Sequence, residues 1–155
     1  MRQDADLLGL DRAALGLREA SAVTPQLMSG LIATVCHRLQ AIGATGKTTR
    51  VAELIRFGAW TDAALVLIDL ELPLWHVRRI AYDEGEWYCA LSRERELPDW
   101  LDRSVEASHA DLALAILSAL VEVRRLGAQS TRTSVPAVKP SADILYEVVG
   151  AENFS

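Results

Sequence analysis

Thr24-Pro25-Gln26-Leu27-Met28-Ser29-Gly30-Leu31-Ile32-Ala33-Thr34-Val35-Cys36-His37-Arg38-Leu39-Gln40-Ala41-Ile42-Gly43 is the stretch on which the fold turns. The Thr24 hydroxyl can accept from the free amides of a first helical turn, and Pro25 suits the first helical position, where its missing N–H costs nothing. Met28, Ile32, Val35, Cys36, Leu39 and Ile42 recur at three- and four-residue spacing, with Gln26, Ser29, His37 and Gln40 on the opposite face. Gly43 stands where a glycine in the left-handed conformation ends a helix. The spacing therefore predicts one helix from Pro25 to Ile42, not a strand of a buried parallel sheet.

Upstream, Leu7, Leu8, Leu15 and Leu17 lie among Asp11, Arg12, Arg18 and Glu19, the pattern of an amphipathic helix weakened at Gly9 and Gly16. Downstream, Thr48 or Thr49 is expected to cap a short helix carrying Val51, Leu54, Ile55 and Phe57 as far as Gly58. Thr61 and Asp62 restart the helical pattern, with the carboxylate at the positive end of the helix dipole. The apolar run Ala63 to Ile68 continues it until Pro73 forces Leu72 out of helical geometry.

From Trp75 the period changes to two. Aromatic and β-branched residues flank Asp83-Glu84-Gly85-Glu86, as a hairpin requires. With Tyr82 facing Trp87, one face collects Ile80, Tyr82, Trp87, Cys89 and Leu91, and the other Arg79, Ala81, Tyr88 and Ala90. A hairpin alone is marginal in water, so the apolar face must lie against a helix or another strand.

Beyond it, Pro98, Asp99 and Trp100 open a short helical turn, and Ser108 is expected to cap the most apolar helix, from His109 to about Leu126 before Gly127. Asp111, Ser118, Glu122 and Arg125 form its thin polar stripe. Its girth is more than a small domain easily covers, which leads to the expectation of a homodimer. Residues 128–141 have the composition of a linker, and Ile144, Leu145, Tyr146, Val148 and Val149 form a strand-like C-terminal segment within 142–155 that packs on the same domain or on a partner. The reading is an α+β chain, mostly helical. It has one globular domain over 1–127, with about five helices and a small antiparallel sheet built on a hairpin near 75–92.

Composition narrows the function classes. Of 155 residues half are apolar and 24% charged, with a net charge of -5, which excludes long disorder and disfavours binding to nucleic acid. The N-terminal Met1-Arg2-Gln3-Asp4-Ala5-Asp6 has no secretory leader pattern, and the apolar runs Ala63 to Ile68 and Leu112 to Leu117 fall far short of the ~20 residues of a membrane span. A cytoplasmic location follows as the expectation. Arginine far outnumbers lysine beside abundant alanine and leucine, the bias of a GC-rich bacterial genome. Cys36 and Cys89 lack metal-ligand spacing and read as core hydrophobes in a reducing compartment.

Ala41-Ile42-Gly43-Ala44-Thr45-Gly46-Lys47-Thr48 resembles the Walker A loop of P-loop nucleotide hydrolases, with Ala41 in place of the first glycine. The resemblance implies a cofactor-binding set of Gly43, Gly46, Lys47 and Thr48, whose backbone amides, ammonium and hydroxyl would meet phosphate and magnesium, with Asp69 as the acidic partner. The same residues also read as a glycine-containing turn whose threonine caps the next helix. A helix ahead of the loop, and only roughly twenty residues between Thr48 and Asp69, put that reading first.

His37, His76 and His109 have no metal-ligand spacing. Glu94, Glu96, Asp99, Asp102 and Glu106 alternate with Arg93, Arg95 and Arg103 as a solvated charged face. Arg38, Lys47, Arg50 and Arg56 raise a helix-turn-helix reading, but the helix that would read DNA is short and apolar. Trp60, Trp75, Trp87 and Trp100 read first as core anchors and second as a binding surface. No catalytic residue, metal or cofactor is expected. The function expected is that of a non-enzymatic interaction or regulatory module that binds an unknown protein partner and itself as a homodimer. The alternatives are nucleotide binding at Ala41 to Thr48, and a small apolar ligand held between hairpin and long helix.

Overall fold

A computed structural model describes residues 2–43, 45–93 and 104–137, with side chains over 5–43, 45–93 and 104–128. Helix α1 (Arg2–Glu19) runs unbroken through both of its glycines. Thr24 then caps α2 (Pro25–Val35): its hydroxyl oxygen accepts from the Leu27 amide at 3.1 Å. The single helix expected to reach Ile42 is instead two, because Cys36 leaves helical geometry at φ -96, ψ 71 before α3 (His37–Ile42). The break is matched by a distant acceptor. The buried Glu71 carboxylate takes the amides of Arg38 at 3.2 Å and Leu39 at 2.5 Å, so it caps the new helix start.

Gly43 closes α3 at a positive φ of 83, as expected, but its ψ of -164 lies outside the left-handed helical region, in territory open only to glycine. Helix α4 (Gly46–Arg56) is capped by Thr45, not by Thr48 or Thr49. Thr45 Oγ1 accepts from the Thr48 amide at 3.2 Å while Thr48 Oγ1 accepts from the Thr45 amide at 2.7 Å, a reciprocal box with threonine in the place usual for glutamate. Helix α5 (Trp60–Glu71) begins one residue before Thr61, carries Asp62 in its first turn and stops at Leu72 ahead of Pro73.

Strands β1 (His76–Asp83), β2 (Glu86–Ser92) and β3 (Ser104–His109) form an antiparallel sheet in the order β1-β2-β3. The hairpin register is the expected one. Tyr82 faces Trp87 with ring centroids 5.0 Å apart, and Glu84 and Gly85 both take positive φ, 51 and 85, as a type I′ turn demands. A bulge between Val77 and Arg79 puts Val77 on the same face as Ile80. Strand β3 corrects the expectation of a helix capped by Ser108. Instead Asp111 caps α6 (Leu112–Ala137), its Oδ1 accepting from the Leu114 amide at 3.0 Å, while its own amide donates to His109 Nδ1 at 3.0 Å.

Helix α6 passes through Gly127, so the segment expected as a linker over 128–141 is helical as far as Ala137. The expected turn at Pro98-Asp99-Trp100 and the strand-like 142–155 lie outside the described residues. Leu114, Ile116, Leu117, Leu120 and Val121 of α6 are fully buried, packed by α1, α5, β2 and β3. Each such aliphatic side chain contributes about 1.5–3 kcal/mol. These side chains thus find their cover within their own chain. The result is an α+β fold, mostly helical, with six helices among the described residues and α6 as the axis of its core. None of these helices is long and apolar enough to cross a membrane.

Candidate functional site

The residues of the Walker-like segment come together as a helix start. Ala41 and Ile42 end α3, Gly43 turns the chain, and Gly46, Lys47 and Thr48 form the first turn of α4. A phosphate-gripping loop springs from a buried strand, whereas here a helix precedes it and the described sheet is wholly antiparallel. The Thr48 hydroxyl is engaged by the Thr45 amide and by the carbonyls of Gly43 and Thr45, each at 3.0 Å. Lys47 Nζ meets Asp69 Oδ2 at 2.5 Å, both side chains being largely exposed, so the pair ties α4 to α5. Asp69, which the resemblance offered as the acidic partner of the loop, lies on a helix and is ion-paired with Lys47.

The remaining candidates disperse. Among the described residues no three His, Cys, Asp or Glu side chains gather as a metal site. His109 is tied to the Asp111 amide, and His76 opens β1 opposite Ser92. Cys36 and Cys89 are free and buried, and burial pushes their thiols up to about 12 and about 11, so neither is a nucleophile at neutral pH. Arg38 Nε donates to the Leu70 carbonyl at 3.1 Å and Arg56 lies over the Phe57 ring at 5.4 Å, so these two basic residues serve separate local contacts. Glu106 reaches Arg79 across the sheet at 3.3 Å, while Glu94, Glu96, Asp99 and Asp102 fall outside the described residues. Trp60, Trp75 and Trp87 pack half-buried against the core, and Trp100 is also outside.

Two features stand out instead. The first is a cleft of about 500 Å³ bounded by α1, the α2–α3 junction, the turn after α5, the end of β2 and the later turns of α6. Leu10, Leu72, Val123 and Trp75 supply apolar lining, and Asp6, His37, Arg93 and Arg124 supply charge and polarity. His37 Nε2 donates to the Thr34 carbonyl at 3.0 Å, which leaves Nδ1 to accept from Arg124 Nη2 at 3.3 Å. Nothing local in the sequence signals this grouping, since His37, Arg93 and Arg124 come from elements far apart in the chain. On the hairpin face toward α6, Cys89 and Leu91 are fully buried.

The second is the outer edge of β1, with which no strand pairs among the described residues. Ile80 and Tyr82 share the core-facing side of the sheet with Cys89 and Leu91, yet they remain 36% and 59% exposed. Compared with known proteins, the chain matches no family model, no curated relative and no solved structure.

Proposed function

We propose that this chain is a protein-protein interaction module without chemistry of its own, which self-associates as a homodimer through the open edge of β1. The observation that carries the reading is the pair Ile80 and Tyr82, exposed at a strand edge with which no described strand pairs, on the sheet face where Cys89 and Leu91 are buried. A two-residue turn closes on a hydrogen-bonded pair, here Asp83 with Glu86, so Ala81 also bonds to β2 while the N–H and C=O of Ile80 and Tyr82 point to the open side.

Two copies of β1 laid antiparallel about an axis at Ala81 would pair those free groups. In that register each Ile80 stands opposite the other copy's Tyr82 on one face, and each Arg79 opposite the other's Asp83 on the other, so apolar meets aromatic and cation meets anion. A β1-to-β1 contact uses the same patch twice and closes, whereas β1 against β3 would propagate. The bulge and the paired arginines at the start of β1 limit pairing to its second half. Two buried free thiols fit a reducing compartment, the cytoplasm.

Light scattering on the separated protein tests the reading. The wild type is expected at twice the chain mass of 17.0 kDa, and Ile80→Lys and Tyr82→Lys at the mass of one chain with unchanged helicity. A wild type that stays monomeric at every workable concentration, or variants that remain dimeric, would remove the proposal.

A further inference from the structure

Arg124 and Arg125 are consecutive on α6 and are used differently. Arg125 is ion-paired twice, to Asp11 at 3.0 Å and to Glu122 at 2.8 Å, and so fastens α6 to α1. Arg124, half-buried on the wall of the cleft, makes one hydrogen bond among the described residues, to Nδ1 of His37 at 3.3 Å. A guanidinium carries five donors, and among the described residues Arg124 is held by an imidazole nitrogen alone, which leaves most of those donors for a ligand. Arg93 reaches the same cleft from the end of β2, and among the described residues neither arginine is ion-paired with a carboxylate.

The surface between them is apolar. Leu10, Leu72 and Val123 are nearly fully buried beside the half-buried indole of Trp75, so a hydrocarbon or aromatic body laid there would lose contact with water as it gains contact with them. The volume of about 500 Å³ is that of a small-molecule site. The fixed tautomer of His37 also holds the Arg124 guanidinium in place before any ligand arrives, which lowers the ordering cost of binding.

We propose that this cleft binds a small organic carboxylate, its hydrocarbon or aromatic body against Leu10, Leu72, Val123 and Trp75 and its carboxylate on Arg124 and Arg93. The geometry of a guanidinium favours a carboxylate, which it can meet with two parallel hydrogen bonds. Asp6, on the α1 side, disfavours ligands of higher negative charge.

Thermal unfolding with 3-phenylpropionate, 3-phenylpropanol and inorganic phosphate separates head from body. The acid is expected to raise the melting temperature in a saturable way by binding only the folded state, while the alcohol and the phosphate leave it unchanged. Arg124→Gln is expected to weaken the acid about tenfold or more by removing a charge-assisted contact. Arg93→Gln, at an exposed position, makes the same comparison should the first variant fail to fold. Quenching of tryptophan emission by the acid, lost in Trp75→Phe, places the ligand in the cleft. The proposal is overturned by the absence of any shift at millimolar acid, by an equal shift from the alcohol or from phosphate, or by undiminished binding in the arginine variants.

Discussion

A thiol sealed from water holds its proton, and two such thiols give this chain a specific response to base. Burial, with the negative charge of Glu71 adding to it and Arg124 opposing it, pushes Cys36 up to about 12 from an ordinary value of 9.0. Burial, helped by Glu106, pushes Cys89 up to about 11. Below pH 9 both thiols are neutral whether folded or unfolded, and their contribution to stability is fully present. Above it the unfolded chain releases protons that the folded chain keeps, so stability falls as pH rises toward the folded values. Each thiol steepens the fall by up to about 1.4 kcal/mol per pH unit. Urea midpoints measured from pH 7 to beyond 10 are expected to drop less steeply above 9 in Cys36→Ala/Cys89→Ala than in the wild type; identical slopes would contradict the burial argument. That these cysteines are core residues was legible from their apolar periodicity and lack of metal spacing. Glu71 was not legible in the same way, since its partners Arg38 and Leu39 lie more than thirty residues upstream and only the fold brings the amides to the carboxylate.

At the scale of elements, the turn between α3 and α4 separates the two readings of the Walker-like segment by the sign of two substitutions. Gly43, at φ 83 and ψ -164, occupies backbone territory where a side chain is strained by about 1–3 kcal/mol, and an added Cβ would touch nothing, so Gly43→Ala measures that strain alone. Gly46 is already helical at the start of α4 and has open space around it, so Gly46→Ala is expected to stabilise, by roughly half a kcal/mol, through the unfolded state. Thermal melts of the two variants should therefore move in opposite directions. A phosphate-cradling loop would need both glycines for close approach of its backbone, and loss of folded stability in both would revive that reading. Elements were legible where local chemistry and tertiary need agreed. The hairpin register follows from one turn with glycine at a positive φ and from aromatic alternation around it. Strand β3, Ser-Val-Glu-Ala-Ser-His, offers Val105, Ala107 and His109 to the core-facing side, too faint an apolar stripe to outweigh a serine that looks like a helix cap. Helix α6 outlasts both Gly127 and the polar composition beyond it, because its first three turns are fastened into the core and propagation is cheaper than nucleation.

For the whole molecule, burial is distributed unevenly, and stability should be distributed with it. Helices α5 and α6 and strand β2 carry most of the fully buried side chains, whereas α3 buries none and α4 only Val51. What holds α4 is Val51 with half-buried Leu54 and Ile55 against the core, and an exposed ion pair between Lys47 and Asp69 worth at most about 1 kcal/mol. The free energy of opening this segment is therefore well below that of unfolding the core around α6. Native-state hydrogen exchange is expected to find the α4 amides exchanging through a local opening, while amides in the buried turns of α6 exchange only when the whole chain unfolds. Val51→Ala sharpens the test, because removing a buried branched side chain should speed exchange in α4 several-fold and leave the slowest α6 amides unmoved, the opening of α4 not being part of theirs. Equal protection in the two helices, or an equal acceleration of both by the substitution, would mean that α4 is bound into the core as one cooperative unit, and that α3 and α4 are more than a clasp laid over α5.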